Sequence, residues 1–144
     1  MSERLKILLV EDNYEHLRLT KYILKQNGVE GDLFVVRDGQ EAMDFLYRRN
    51  KFSNVEKNPR PSLVLLDLNI PRVNGKELLR IIKGDGTLKD IPVVVVSSSD
   101  RPEDVAFAEE HGATAYISKA SGFDALKAAL SNLSQYTTGG QTPR

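Results

Sequence analysis

Four apolar runs in this chain stop at residues able to handle a phosphoryl group. Leu5 to Val10 stops at Glu11-Asp12, and Leu63 to Leu66 stops at Asp67. Val93 to Val96 stops at Ser97, and Ala115 to Ile117 stops at Ser118-Lys119. Carboxylates brought close together raise one another's pKa and keep one of them protonated. A hard divalent cation removes that conflict. Mg²⁺ takes oxygen ligands, keeps several waters, and is held by one or two carboxylates plus phosphate. Mg²⁺ is therefore the ion expected here, with Mn²⁺ able to substitute; Ca²⁺ would want more protein oxygens. A transient aspartyl phosphate needs carboxylates, a metal, a hydroxyl and an ammonium. In that chemistry Asp67 is the nucleophile, Lys119 and the metal neutralise the phosphoryl oxygens, and Ser97 hydrogen-bonds one of them. Taken singly, each residue has an ordinary use: Asp67 forms a turn, Glu11-Asp12 caps a helix, Ser97 is a loop hydroxyl, and Lys119 is a solvated charge. Their co-location at strand ends is what favours chemistry.

The elements that must position them alternate along the chain. Besides those four runs, Leu33 to Val36 is a fifth apolar stretch. Continuous apolar runs suit parallel strands buried on both faces. Between them lie helical patterns. Leu17, Thr20, Ile23 and Leu24 share a face ending near Gly28; Ala42, Phe45 and Leu46 share another. Asn74-Gly75-Lys76-Glu77 reads as a capping box ahead of Leu78, Leu79 and Ile82. A fourth helix follows Pro102 with Val105, Ala106 and Ala108 and runs up to Gly112. A fifth starts at Ser121, with Asp124 three residues on, and carries Leu126, Leu130 and Leu133. Five strands alternating with five helices predict an α/β fold with a parallel sheet. Strand order 2-1-3-4-5 would set the first and third strands side by side at the switch point, where open α/β sheets bind ligands. The connection from Asn50 to Pro61 is polar and long for such a loop.

Bulk properties remove other classes. The chain has 144 residues, 40% hydrophobic and 28% charged, with 20 basic and 20 acidic side chains. That is one domain without the basic excess of a nucleic-acid binder. The absence of cysteine excludes disulfides, thiolate metal sites and a catalytic thiol. The start of the chain lacks a signal-peptide core, and no run approaches the ~18 apolar residues of a membrane span. A cytoplasmic location is the expectation, with neither nucleic acid nor membrane as partner. A domain over residues 1–136 and a disordered tail over 137–144 are expected from composition.

The motifs Ile7-Leu8-Leu9-Val10-Glu11-Asp12-Asn13, Leu65-Leu66-Asp67-Leu68-Asn69-Ile70-Pro71, Asn74-Gly75, Pro92 to Ser98, and Gly112 to Lys119 together resemble the receiver domain of bacterial response regulators. The resemblance covers about Lys6 to Leu133. It implies a flavodoxin-like fold and phosphorylation at Asp67 by a phosphohistidine of a sensor histidine kinase. It implies Mg²⁺ held by Glu11 or Asp12, by Asp67, and by the backbone carbonyl of Asn69. The long loop before Pro61 and the Asp67-Leu68-Asn69 run are similar to single-domain regulators paired with phytochromes. Three residues depart from the family pattern: Ser97 for threonine, Ala120 for the proline after the lysine, and Asn74 for aspartate. Ala120 removes the usual cis bond there and leaves the following loop's shape open.

The resemblance also implies a switch. Ser97 moves toward the phosphoryl group, Tyr116 turns inward, and the surface of the fourth helix, fifth strand and fifth helix changes. A homodimer through that face follows by resemblance. His16 and His111 read as solvent-facing, Asp38-Gly39 as a turn, and Asp100 and Asp104 as acids favoured near a helix start. Rival readings are weaker. Phosphohydrolases with an aspartate nucleophile carry an acid two residues on, where this chain has Asn69. A flavin or nucleotide module wants a Gly-, Ser- or Thr-rich cradle after the first strand, where this chain has Glu11-Asp12-Asn13-Tyr14-Glu15. A scaffold that has lost phosphorylation would not keep the acidic cluster and Lys119.

Overall fold

A computed structural model of the chain describes residues 5–26, 31–70, 72–119 and 123–131. Strands and helices alternate: β1 (Leu5–Val10), α1 (Tyr14–Gln26), β2 (Gly31–Val36), α2 (Gly39–Leu46), β3 (Leu63–Leu66), α3 (Gly75–Gly84), β4 (Val93–Ser97), α4 (Pro102–Glu110), β5 (Ala115–Ser118) and α5 (Phe123–Ser131). The five strands form one parallel sheet in the order β2-β1-β3-β4-β5. This is the expected flavodoxin-like arrangement.

The apolar runs build the sheet because both of its faces are covered. Alternate strand residues enter two separate cores. Leu8, Val10, Val64, Leu66, Val93 and Val95 pack with α2, α3 and α4. Ile7, Leu9, Leu63, Leu65, Val94 and Val96 pack toward α1 and α5. On α3, Leu78, Leu79 and Ile82 are fully buried, each worth roughly 1.5–3 kcal/mol relative to exposure. On α1 the buried face is Leu17, Thr20, Ile23 and Leu24, as its periodicity implies.

Local signals differ from expectation in places. Asp38 and Gly39 do more than turn the chain: the Asp38 side chain caps α2 by accepting from the Glu41 amide at 2.8 Å. Asn74 caps α3 as its motif predicts, accepting from the Glu77 amide at 2.9 Å. The long connection into β3 holds a 3₁₀ turn, Asn50–Phe52, and Phe52 packs edge-on against Phe45 with ring centroids 5.2 Å apart. On α4 the apolar reading fails in part. Ala106 is exposed and Val105 half-buried, while Asp104 is buried beside Ala108. Gly28, Ala120, Ser121, Leu133 and the tail over 137–144 lie outside the described residues.

Gly75 joins α3 to the loop that follows β3. Its amide donates to the Leu68 carbonyl at 3.0 Å. A Cβ on Gly75 would overlap the Leu68 Cα and the Asp67 carbonyl, both backbone atoms that cannot rotate away. Gly75→Ala is therefore expected to cost about 1–3 kcal/mol through overpacking. Urea unfolding of the variant checks this, and wild-type stability would contradict it.

Candidate functional site

Strand register gathers the site. Val10 pairs with Leu66 across β1 and β3, so Glu11 and Asp67 emerge side by side at the next position. The Asp67 amide donates to the Val10 carbonyl at 3.2 Å, extending the ladder by one step. Ser97 pairs with Ser118, so Lys119 leaves the sheet at the same rim. Asn13 starts α1 there: its side-chain oxygen accepts from the His16 amide at 3.0 Å, as an N-cap does.

Burial makes the charges matter. Glu11 is 2% exposed, Asp67 7% and Ser97 0%. The Lys119 ammonium lies 2.7 Å from Glu11 Oε1, 3.3 Å from Asp67 Oδ2 and 2.9 Å from His16 Nδ1. The other Asp67 oxygen, Oδ1, accepts from the Asn69 amide at 2.9 Å. Burial pushes the Glu11 carboxyl up from its ordinary value, while the hydrogen bond and charge of Lys119 pull it back. Burial, then the Lys119 charge, lowers His16. An ammonium only donates, so at 2.9 Å from Lys119 the His16 Nδ1 is the acceptor.

The sequence reads His16 as solvent-facing, and its side chain is 38% exposed, but its Nδ1 also meets Lys119 beside the acidic pair, because α1 begins only three residues after Glu11 and its first turn sits over the strand ends. Its helical position and polar type gave no sign of this. His111 is half-buried too: its ring stacks on Phe107 at 4.1 Å, with Nδ1 2.9 Å from the Phe107 carbonyl. Asp12 is exposed, and its carbonyl accepts from Arg37 at 3.0 Å. Among the described residues, Glu11, His16 and Asp67 offer ligand atoms within 4.8 Å of one another; the Asp12 carboxylate is not in that group. The two buried carboxylates offer the oxygen ligands that a hard divalent cation takes.

A second polar chain leads away from the site through Ser99. The Ser99 amide donates to Ser97 Oγ at 3.2 Å, and the Tyr116 hydroxyl donates to the Ser99 carbonyl at 2.7 Å. The half-buried Tyr116 therefore spends its hydroxyl on the loop after β4 rather than on water. The Ser99 hydroxyl donates to Asp104, which also meets Lys76 of α3 at 2.6 Å and Arg101 at 3.3 Å. The sequence offers Asp104 only as an acid favoured near a helix start; these partners explain why it is buried. Hydrogen bonding from Lys76, then from Ser99, holds its carboxyl well below the usual range. In the unfolded chain it regains its ordinary value of 3.8. The native state then binds fewer protons below that pH, so the cluster's stability is complete above it and fades as pH falls further. Asp104→Asn is expected to lose about 1–2 kcal/mol at neutral pH. The gap to wild type should begin to narrow by about pH 3. Urea unfolding at both pH values checks this, and a gap independent of pH would contradict it.

A parallel sheet in this order, with buried carboxylates and a lysine at its carboxyl rim, defines a receiver-type α/β domain. The sequence pattern of the response regulator receiver domain matches residues 7–131, and the chain belongs to that family. It is thus a receiver of phosphorylation-based, two-component signalling. It is 42% identical over 113 residues to response regulator Rcp1 of Synechocystis, covering 78% of this chain and 75% of that one. Its fold matches the phosphorylated cyanobacterial phytochrome response regulator RcpA with TM-score 0.84 and 36% identity, covering 97% of this chain and 98% of that one. It also matches the Mn²⁺-bound form of Rcp1 with TM-score 0.81 and 36% identity, covering 92% and 93% of the two chains. Among the described residues no helix is long and apolar enough to cross a membrane.

Proposed function

We propose that Asp67 accepts a phosphoryl group from a phosphohistidine of a sensor histidine kinase, of the phytochrome type to which the relatives point. The observation that carries this is the Lys119 ammonium lying between the buried Glu11 and Asp67 carboxylates. In the transfer, an Asp67 carboxylate oxygen forms a bond to phosphorus as the phosphorus–nitrogen bond of the donor breaks. The imidazole nitrogen keeps that electron pair and then takes a proton. Lys119 faces the Asp67 carboxylate and meets the added oxygens with positive charge. Glu11, Asp12, Asp67 and the Asn69 carbonyl are the groups proposed to hold Mg²⁺, with Mn²⁺ able to replace it. A bound ion supplies neutralising charge to the phosphoryl oxygens.

Asn69 offers no general acid, so Asp67 acts as a stoichiometric acceptor rather than a turnover nucleophile. The same site takes phosphate from small donors and loses it to water with Mg²⁺. The switch runs through Ser97 and Tyr116. Their bonds to opposite sides of Ser99 support this: a move of the Ser97 hydroxyl toward a phosphoryl oxygen frees the Ser99 amide and loosens the loop that Tyr116 holds. The face of α4, β5 and α5 then changes, and it serves a downstream partner or a second copy of the chain.

The test is incubation with acetyl phosphate and Mg²⁺, followed by borohydride reduction, which turns an aspartyl phosphate into homoserine. Homoserine at position 67 is the expected result. Modification elsewhere, or none, would overturn the reading.

A further inference from the structure

An ammonium has three N–H donors and no acceptor. The three acceptors around Lys119 come from three different parts of the chain: Glu11 Oε1 after β1, Asp67 Oδ2 after β3, and His16 Nδ1 in the first turn of α1. Two of them are carboxylate oxygens and the third is an imidazole nitrogen. We propose that His16 is a positioning residue for the phosphoryl chemistry, its neutral Nδ1 taking the third N–H of Lys119 and fixing the ammonium over the acidic pair.

The inference rests on Asp67 being the acceptor. Its physical basis is separate. An ammonium whose side chain is only 9% exposed has little water to meet its third donor, and leaving a donor of a charged group unpaired is costly. A carboxylate in place of His16 would satisfy the donor but add a third negative charge beside Glu11 and Asp67. An imidazole satisfies it without charge. The ring is held by the lysine rather than by the acid, since Nδ1 lies 3.9 Å from Glu11 Oε2, beyond hydrogen-bond range. The His16 amide is tied to Asn13 at 3.0 Å, so the turn that presents the ring is itself fixed.

Two variants test the role. His16→Leu removes the acceptor and keeps bulk; His16→Asn restores a side-chain oxygen. The phosphorylation rate is measured with acetyl phosphate across a Mg²⁺ titration, acetate leaving as the Asp67 oxygen–phosphorus bond forms. His16→Leu should lower the saturating rate about tenfold while moving the Mg²⁺ midpoint less than about twofold, because no charge changes. His16→Asn should recover most of the rate. An unchanged rate in His16→Leu overturns the proposal, as does an Asn variant no better than Leu. A shifted Mg²⁺ midpoint with an unchanged saturating rate also overturns it, making His16 a metal ligand instead. A second measurement does not depend on phosphorylation. In ¹⁵N-histidine-labelled protein, His16 should carry its proton on Nε2, and its Nδ1 resonance should move on Lys119→Met. An Nδ1 resonance indifferent to Lys119 overturns the proposal. If wild type takes no phosphate, the acceptor reading fails, and the resonance still decides the His16–Lys119 contact.

Discussion

Asp67→Asn is expected to take up no acid-labile phosphate from acetyl phosphate while folding normally. The amide keeps the side chain's shape, and its oxygen can still accept from the Asn69 amide, now at 2.9 Å from Asp67 Oδ1. It has no anionic oxygen to attack phosphorus. The substitution also removes one of two buried carboxylates, leaving Lys119 paired with Glu11 at 2.7 Å. Stability without metal should stay within about 1 kcal/mol of wild type, lost hydrogen bonding to Lys119 being offset by lost repulsion. The response to Mg²⁺ should differ. A ligand at a hundred times its Kd stabilises the native state by about 2.7 kcal/mol. Most of that gain should vanish in the variant, because a central ligand has become neutral. Thermal unfolding with and without Mg²⁺ reads this directly. Undiminished phosphate uptake by Asp67→Asn would defeat the assignment of the acceptor.

Lys119→Met should damage both chemistry and fold. Methionine keeps an unbranched stem one atom shorter and carries no charge, so Glu11 and Asp67 lose the cation that now touches both. Removing one partner of a buried ion pair costs about 3–5 kcal/mol. Phosphate uptake should fall about 10²–10³-fold, the usual effect of removing one donor aimed at developing charge. The stability loss should depend on pH. Burial already raises the Glu11 carboxyl above its ordinary 4.5, and Lys119 now opposes that rise. With the lysine in place that carboxyl already sits at about 7, and without it the native state holds the Glu11 proton more tightly still. Stability of the variant therefore falls as pH rises above the ordinary glutamate range. Mg²⁺ should recover part of the loss by standing in for the ammonium. A variant as stable as wild type at neutral pH without metal would show that the ammonium does not offset the carboxylates.

The sheet was legible because its strands are continuous apolar runs, and β1 and β3 begin and end where those runs do. Glu11, Asp67, Ser97 and Lys119 were legible for the same reason: each stands where a run stops, and the parallel sheet brings such stops to one rim. His16 and Asp104 were not. Both are polar residues in the first turn of a helix, a place that ordinarily faces water. The partners they meet come from far along the chain: Lys119 for His16, Lys76 for Asp104. Ser99 was missed because its role lies mainly in its backbone, which donates to Ser97 and accepts from Tyr116. Side-chain identity says little about such a junction. On α4, Ala106 was misplaced because alanine serves as well on an exposed helical face as on a buried one.

The long connection between α2 and β3 offers a practical handle. It enters β3 at the strand's amino end, whereas Asp67 follows its carboxyl end. Val55 on that connection is 49% exposed, and the chain has no cysteine of its own. Val55→Cys would therefore be the sole thiol, open to a fluorophore or spin label in one step. Such a label would report on encounters with a kinase or a second copy while every group at the phosphoryl rim keeps its native side chain.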